Sequence, residues 1–184
     1  LRKFTEATRA NDIDGDYDRA VQLSREAVAL DSTLALAWRK LAIALGNGAG
    51  SSAARDSAAL MAFRYADRLP DREKYLAIGL YYQVDRTASD RGKQLAAYQA
   101  AYAADSNSHV AANQLTTLFE QRRQYDSALR YARRQVVLEQ ATNPVGWLAN
   151  IYLSSGQVDS AARVLDSLRR ARPETAEFDG IQAA

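Results

Sequence analysis

The chain has 184 residues, 47% of them hydrophobic and 25% charged, with 24 basic side chains against 22 acidic ones, the balance of an ordinary globular protein long enough to bury a core without staples. It contains no cysteine and a single histidine, His109. That excludes thiol catalysis, iron–sulfur clusters, cysteine zinc sites and multi-histidine metal centres, and no metal or cofactor is expected. Charge is evenly spread, with 14 basic and 13 acidic residues in 1–92 against 10 and 9 in 93–184, so no long-range field argues for nucleic acid or an anionic membrane.

Alanine, the strongest helix former, occurs 36 times, against 9 Gly and 3 Pro, which predicts an almost wholly helical chain. In chain order, helices are expected near 2–13, 17–30, 34–46, 53–69, 71–84, 90–104, 108–121, 125–139, 144–154 and 158–171. Asp31 and Ser32 are placed to cap the helix that carries Trp38, Asp71 precedes Arg72-Glu73, and Asp105-Ser106-Asn107-Ser108 is a polar break of the capping type. Asn143-Pro144 puts proline at a helix opening, where its missing N–H costs nothing. No run approaches the ~20 apolar residues of a membrane span, and Leu1-Arg2-Lys3-Phe4 lacks the apolar run of a signal peptide. The chain begins without Met and a fresh helical pattern at Phe178 and Ile181 stops at Ala184, so a segment of a longer protein is expected. A cytoplasmic setting is favoured, with an extracytoplasmic one open if that protein has a membrane span upstream.

Several stretches imitate chemistry. Asp12-x-Asp14-Gly15-Asp16 looks like a calcium loop, but the sixth and twelfth positions hold Tyr17 and Leu23 instead of Gly and a bidentate acid; it is expected to be a turn opening the next helix. Gly46-x-Gly48-x-Gly50-Ser51-Ser52 lacks the Gly-Lys-Ser/Thr ending of a phosphate loop and is expected to be an expanded, flexible turn. Arg130, Arg133 and Arg134 are expected on a solvated helix face. Tyr17, Trp38, Tyr75, Tyr82, Tyr98, Tyr125 and Tyr152 are assigned to packing.

The decisive feature is self-similarity. Gly15, Tyr17, Ala20, Ala27 and then Trp38, Leu41, Ala42, Leu45 return near the other end as Leu148, Ala149, Tyr152, Gly156, Ala161 and Pro173, with Tyr75, Gly79, Tyr82 and Leu115, Phe119, Tyr125, Ala128 between. Small residues at Ala20, Ala42, Gly79, Ala149 and Ala161 let antiparallel helices approach closely; Trp38, Leu41, Leu45, Tyr82, Phe119 and Tyr152 fill the space beside them. The second copy has Ala59, Phe63 and Ala66 shifted by five residues, the third has an enlarged turn at 85–90 and Gln94 at a normally small position, and the fourth has Ala112, Ala132 and Gln135 out of pattern.

This pattern resembles the tetratricopeptide repeat. The resemblance implies an all-α, right-handed α-solenoid of antiparallel helix pairs, a single array of about five repeats at 1–34, 35–70, 71–107, 108–141 and 142–174, with 175–184 a truncated sixth repeat or cap. It also implies a non-catalytic module, not an enzyme, that holds a peptide or partner protein on its concave, first-helix surface. Projected onto this chain, that groove is lined by Arg9, Lys40, Ile43, Leu76, Leu80, Asn113, Gln114, Thr117, Gln121, Trp147 and Asn150. Asn and Gln can hold a peptide backbone, and Trp147 and Leu80 can anchor apolar side chains. The positions of the family's clamp for C-terminal carboxylates hold Arg2, Glu6, Lys40, Glu73 and Ala77, which argues against chaperone tails. The stretch Arg64 to Leu76, with Tyr81-Tyr82, resembles repeat arrays that follow the kinase domain of some bacterial serine/threonine kinases, which implies a place in a larger bacterial signalling or regulatory protein. An alternative is a ligand-sensing domain whose curvature responds to a small molecule or peptide, motivated by the two enlarged turns.

Overall fold

The alanine-rich sequence resolves into helices joined by short connections wherever it is described. The computed structural model describes residues 2–48, 50–84, 90–139 and 142–171, with the side chains of all of these except 139, 142–144, 168 and 171. Among the described residues there are α1 (Arg2–Asp12), α2 (Tyr17–Leu30), α3 (Ala35–Asn47), α4 (Ser52–Arg64), a 3-10 turn (Ala66–Arg68), α5 (Asp71–Val84), α6 (Arg91–Ala104), α7 (His109–Gln121), α8 (Tyr125–Glu139), α9 (Thr142–Ser154) and α10 (Val158–Ala171), and no strand. Pro173, the enlarged turn at 85–89 and the sixth repeat with Phe178 and Ile181 lie outside the described residues.

Helix starts are set by short polar side chains that satisfy free backbone N–H groups. Asp16 accepts from Arg19 N at 3.0 Å, Ser51 from Ala54 N at 3.1 Å, Asp90 from Gly92 N and Lys93 N at 2.9 Å, and Ser108 from Ala111 N at 3.3 Å. Asp31 and Ser32 do not cap α3, contrary to expectation. Leu34 is its N-cap without a side-chain bond, and Asp31 closes α2 and accepts from Thr33 N and Oγ1 at 2.9 and 2.8 Å, an Asx turn. Asp71 is the first residue of α5, which spans the expected 71–84.

The predicted helix 53–69 stops at Arg64 and tightens into the 3-10 turn. Leu69 is extended (φ −99°, ψ 154°), as the residue before Pro70 must be. The glycine run is less of an insertion than it reads. α3 continues through Gly46 and Asn47, and α4 opens at Ser52, so the interval between them is as long as that between α1 and α2. The register of the second copy changes accordingly: Arg55, not Ala59, is the fourth residue of its second helix, as Ala20, Gln94, Ala128 and Ala161 are of theirs.

The chain folds as two compact units, Leu1–Ser106 and Asn107–Ala184, and the division falls where the third predicted repeat ends. In the first unit α1/α2, α3/α4 and α5/α6 are antiparallel pairs, each second helix packs on the next first helix, and α1, α3 and α5 touch in succession. Its apolar interior is a series of small clusters. Ala7, Ala10, Ala20, Leu23 and Ala44 form one; Leu41, Ala42, Leu45, Ala58, Ala59, Leu80 and Val84 form the next; Ala62, Ala66 and Ala77 form another, with Trp38 packed beside the last two. Each cluster joins neighbouring helices, as a one-dimensional stack requires.

In the second unit α7/α8 and α9/α10 pair, and α8 packs on α9. Leu115 and Ile151 are fully buried, and Phe119 and Tyr131 stack at 5.7 Å. The fourth repeat departs from pattern for a stated reason: buried Gln135 donates to Thr116 Oγ1 at 2.8 Å, which donates to Ala112 O at 2.8 Å. A satisfied polar ladder replaces the apolar contact found in other copies. Tyr17 does not pack as expected; it opens α2 and is 37% exposed.

Candidate functional site

Successive first helices are fastened by polar contacts between their side chains. In the first unit Lys40 on α3 reaches Asp12 on α1, with Nζ 2.9 and 2.8 Å from the two carboxylate oxygens. Burial pushes the Asp12 carboxyl up, but hydrogen bonds from Lys40 and Asn11 outweigh it and hold its pKa below the usual range. Arg39 on α3 donates to Glu73 on α5 at 3.1 Å, and Glu73 also accepts from Arg72, which reaches Asp105 at 2.9 Å. Burial lowers the Arg39 pKa while the Glu73 charge opposes it; the guanidinium stays charged.

Placing the groove residues of this unit separates surface from core. Lys40 is 9% exposed and spent on Asp12, and Leu76 and Leu80 are 4% and 7% exposed. These three are interior groups. A first helix packed between two second helices buries more of its circumference than the two-faced projection allows, which is why an apolar side chain at either Leu position turns inward. Ile43 is half-buried against the Leu41 cluster, and Arg9 is exposed beside Asp14 at 3.7 Å. Of the clamp positions, Arg2 pairs with Glu6 at 3.5 Å and Ala77 is buried. The acids of the calcium-like stretch are each engaged: Asp12 with Lys40, Asp14 with Arg9, Asp16 as a cap.

The second unit presents a different face. Asn113, Gln114 and Thr117 on α7 are half-exposed, and Gln121 on α7 and Asn150 on α9 are exposed. Trp147 on α9 is half-buried, and its Nε1 donates to Glu120 Oε2 on α7 at 2.9 Å. The bond joins the two first helices and fixes the plane of the indole ring. Glu120 is the residue missed by the groove projection, although its spacing was legible: 113, 117 and 120 follow the i, i+4, i+7 stripe of one helix face. The basic run on α8 is not a free patch. Arg133 donates to Tyr152 Oη at 3.0 and 2.8 Å, Arg134 bonds Asn107, and Arg130 lies over the Tyr131 ring. A cleft of about 440 Å³ lies at the turns of this unit, lined by Arg123, Asp126, Ser155 and Gln157 among others.

The arrangement of short helix pairs can be set beside solved structures. The thermophilic TPR protein TTC0263 of Thermus thermophilus superposes with a TM-score of 0.72 at 17% identity, over 95% of this chain and 92% of that one. The fold is the tetratricopeptide-repeat fold. MamA residues 41 to the end from Desulfovibrio magneticus RS-1 match this repeat protein with a TM-score of 0.64 at 13% identity, over 95% of each chain. YrrB, a TPR protein with an unusual peptide-binding site, matches with a TM-score of 0.57 at 15% identity, over 95% of this chain and 87% of its own. No protein-family model and no curated protein sequence matches the chain. No described helix is long and apolar enough to cross a membrane.

Proposed function

We propose that this chain is a non-catalytic module that holds an extended peptide, or a peptide-like segment of a partner protein, on its first-helix faces, within a larger bacterial signalling or regulatory protein. The observation that carries this reading is the α7/α9 face of the second unit. There a half-buried indole, oriented by Glu120, stands among Asn113, Gln114, Thr117, Gln121 and Asn150. The ring supplies an apolar anchor, and the amides supply paired donors and acceptors for a peptide backbone. The peptide-binding site named for YrrB supports this reading by fold-level analogy.

Peptides selected on the immobilised chain from a random display library test it. The double variant Trp147→Ala/Asn150→Ala is expected to weaken the selected peptides at least tenfold, on the order of 1.4 kcal/mol or more. If every selected peptide binds that variant as tightly as the original, the groove assignment fails.

A further inference from the structure

The second repeat contains an arrangement that packing alone does not reward. Arg55 is the fourth residue of α4, the place held by Ala20, Ala128 and Ala161 in α2, α8 and α10 and by the uncharged Gln94 in α6. A long cationic side chain fits there because the residue facing it is glycine: a Cβ on Gly46 would lie 2.9 Å from Arg55 Nε and 3.0 Å from its Cζ. Gly46 is the twelfth residue of α3, where α7 and α9 carry Glu120 and Leu153. Two positions thus depart from the repeat together, one enlarged and one reduced. The result is a guanidinium whose Nε is shielded from solvent and has no hydrogen-bond partner, an arrangement that costs stability.

Arg55 borders a cleft of about 300 Å³ lined by Gly46, Gly48, Gly50, Ser52, Asp56 and Gln83. Gln83 is oriented in it. Its Oε1 accepts from the buried Tyr98 Oη at 2.8 Å, which leaves the NH2 group as its free donor. Arg55, the Gln83 amide and the Ser52 hydroxyl therefore offer donors to one space. Asp56 lies in the same lining and disfavours a doubly charged guest, whereas a planar, singly charged carboxylate matches the guanidinium fork.

We infer that this cleft at the α3–α4 turn is a binding site for a carboxylate group, on a small molecule or on a peptide, held by Arg55 with Gln83. The site belongs to the first unit and shares no residue with the α7/α9 face, so either reading can fail alone.

The test is titration of the whole chain with sodium acetate, and separately with inorganic phosphate at matched ionic strength, followed by 1H–15N NMR. Acetate is expected to move the Arg55 Nε–H and the Gln83 side-chain amide along one saturating curve, with a midpoint on the order of 1–10 mM for so small a probe. Phosphate is expected to bind several-fold more weakly. Arg55→Ala is expected to abolish the saturating shift while leaving the melting temperature unchanged or raised, since alanine is what α2, α8 and α10 carry there. Arg55→Lys, which keeps the charge and loses the fork, is expected to weaken acetate several-fold. Absence of saturation, or an equal shift in Arg55→Ala, would overturn the site. A stronger response to phosphate would overturn the carboxylate assignment, and a melting temperature for Arg55→Ala lowered like that of a core truncation would assign the arginine to stability instead.

Discussion

Gly79 shows how tightly the helices of this chain approach one another. A Cβ there would stand 2.7 Å from Cε1 of Tyr98, a buried ring whose hydroxyl is pushed up in pKa by that burial. Gly79→Ala gains roughly 1 kcal/mol of helix propensity but must displace a ring that also donates to Gln83. A net loss of about 1–2 kcal/mol is expected in urea unfolding; an equal or higher stability would show that α5 and α6 can part without cost. Arg123 makes the opposite case. Its φ of +56° matches Gly15 (+65°) and Gly156 (+77°) at the corresponding turns, so an arginine occupies a left-handed conformation that costs about 1 kcal/mol. Arg123→Gly should raise the melting temperature by about 2–4 °C; a lower value would mean that the side chain contributes more than the strain removes. Gly79 was legible in the sequence as a small residue at a contact position. Arg123 was not, because nothing in a helical pattern reports the φ of a turn residue.

At the scale of the helix, hairpins were readable because short polar caps and breakers lie between alanine-rich runs; the end of α4, the cap of α3 and the start of α9, at Thr142 instead of Pro144, departed from expectation. Side-chain orientation on each first helix was less legible. Lys40 was assigned to the groove by its spacing, yet it turns inward because Asp12 on the preceding first helix is there to receive it, and a partner 28 residues away leaves no mark in local periodicity. The pair has a pH signature. Asp12 has its pKa lowered in the folded chain, so its stabilisation is present above the unfolded value of about 3.9 and is lost as pH falls through the lower folded value. Asp31 and Asp90 act in the same direction, each held low first by a backbone amide, from Thr33 and Lys93 respectively. Asp12→Asn should cost about 1 kcal/mol at pH 7, a figure kept small because the carboxylate is 46% exposed, and the difference from the original chain should shrink toward zero as pH falls through the lowered folded value. A deficit independent of pH would place the effect of the substitution elsewhere than the ion pair.

For the molecule as a whole, the self-similar sequence declared the fold before any contact was known, since each copy must bury one face on its own partner helix and another on the next pair. The groove was less legible than the repeat. Of the positions projected onto it, those in the second unit stay accessible, while Lys40, Leu76 and Leu80 in the first unit are buried. The first unit neutralises its own first-helix charges through the Lys40–Asp12 and Arg39–Glu73 pairs. The second unit carries amides and an oriented indole there instead, which makes α7 and α9 the elements expected to meet a peptide. Hydrogen–deuterium exchange of the chain with and without a display-selected peptide tests this most directly. New protection is expected to concentrate in α7 and α9, with α8 and α10 little changed; protection confined to α8 and α10, or absent from the segment around Trp147, would place the peptide elsewhere.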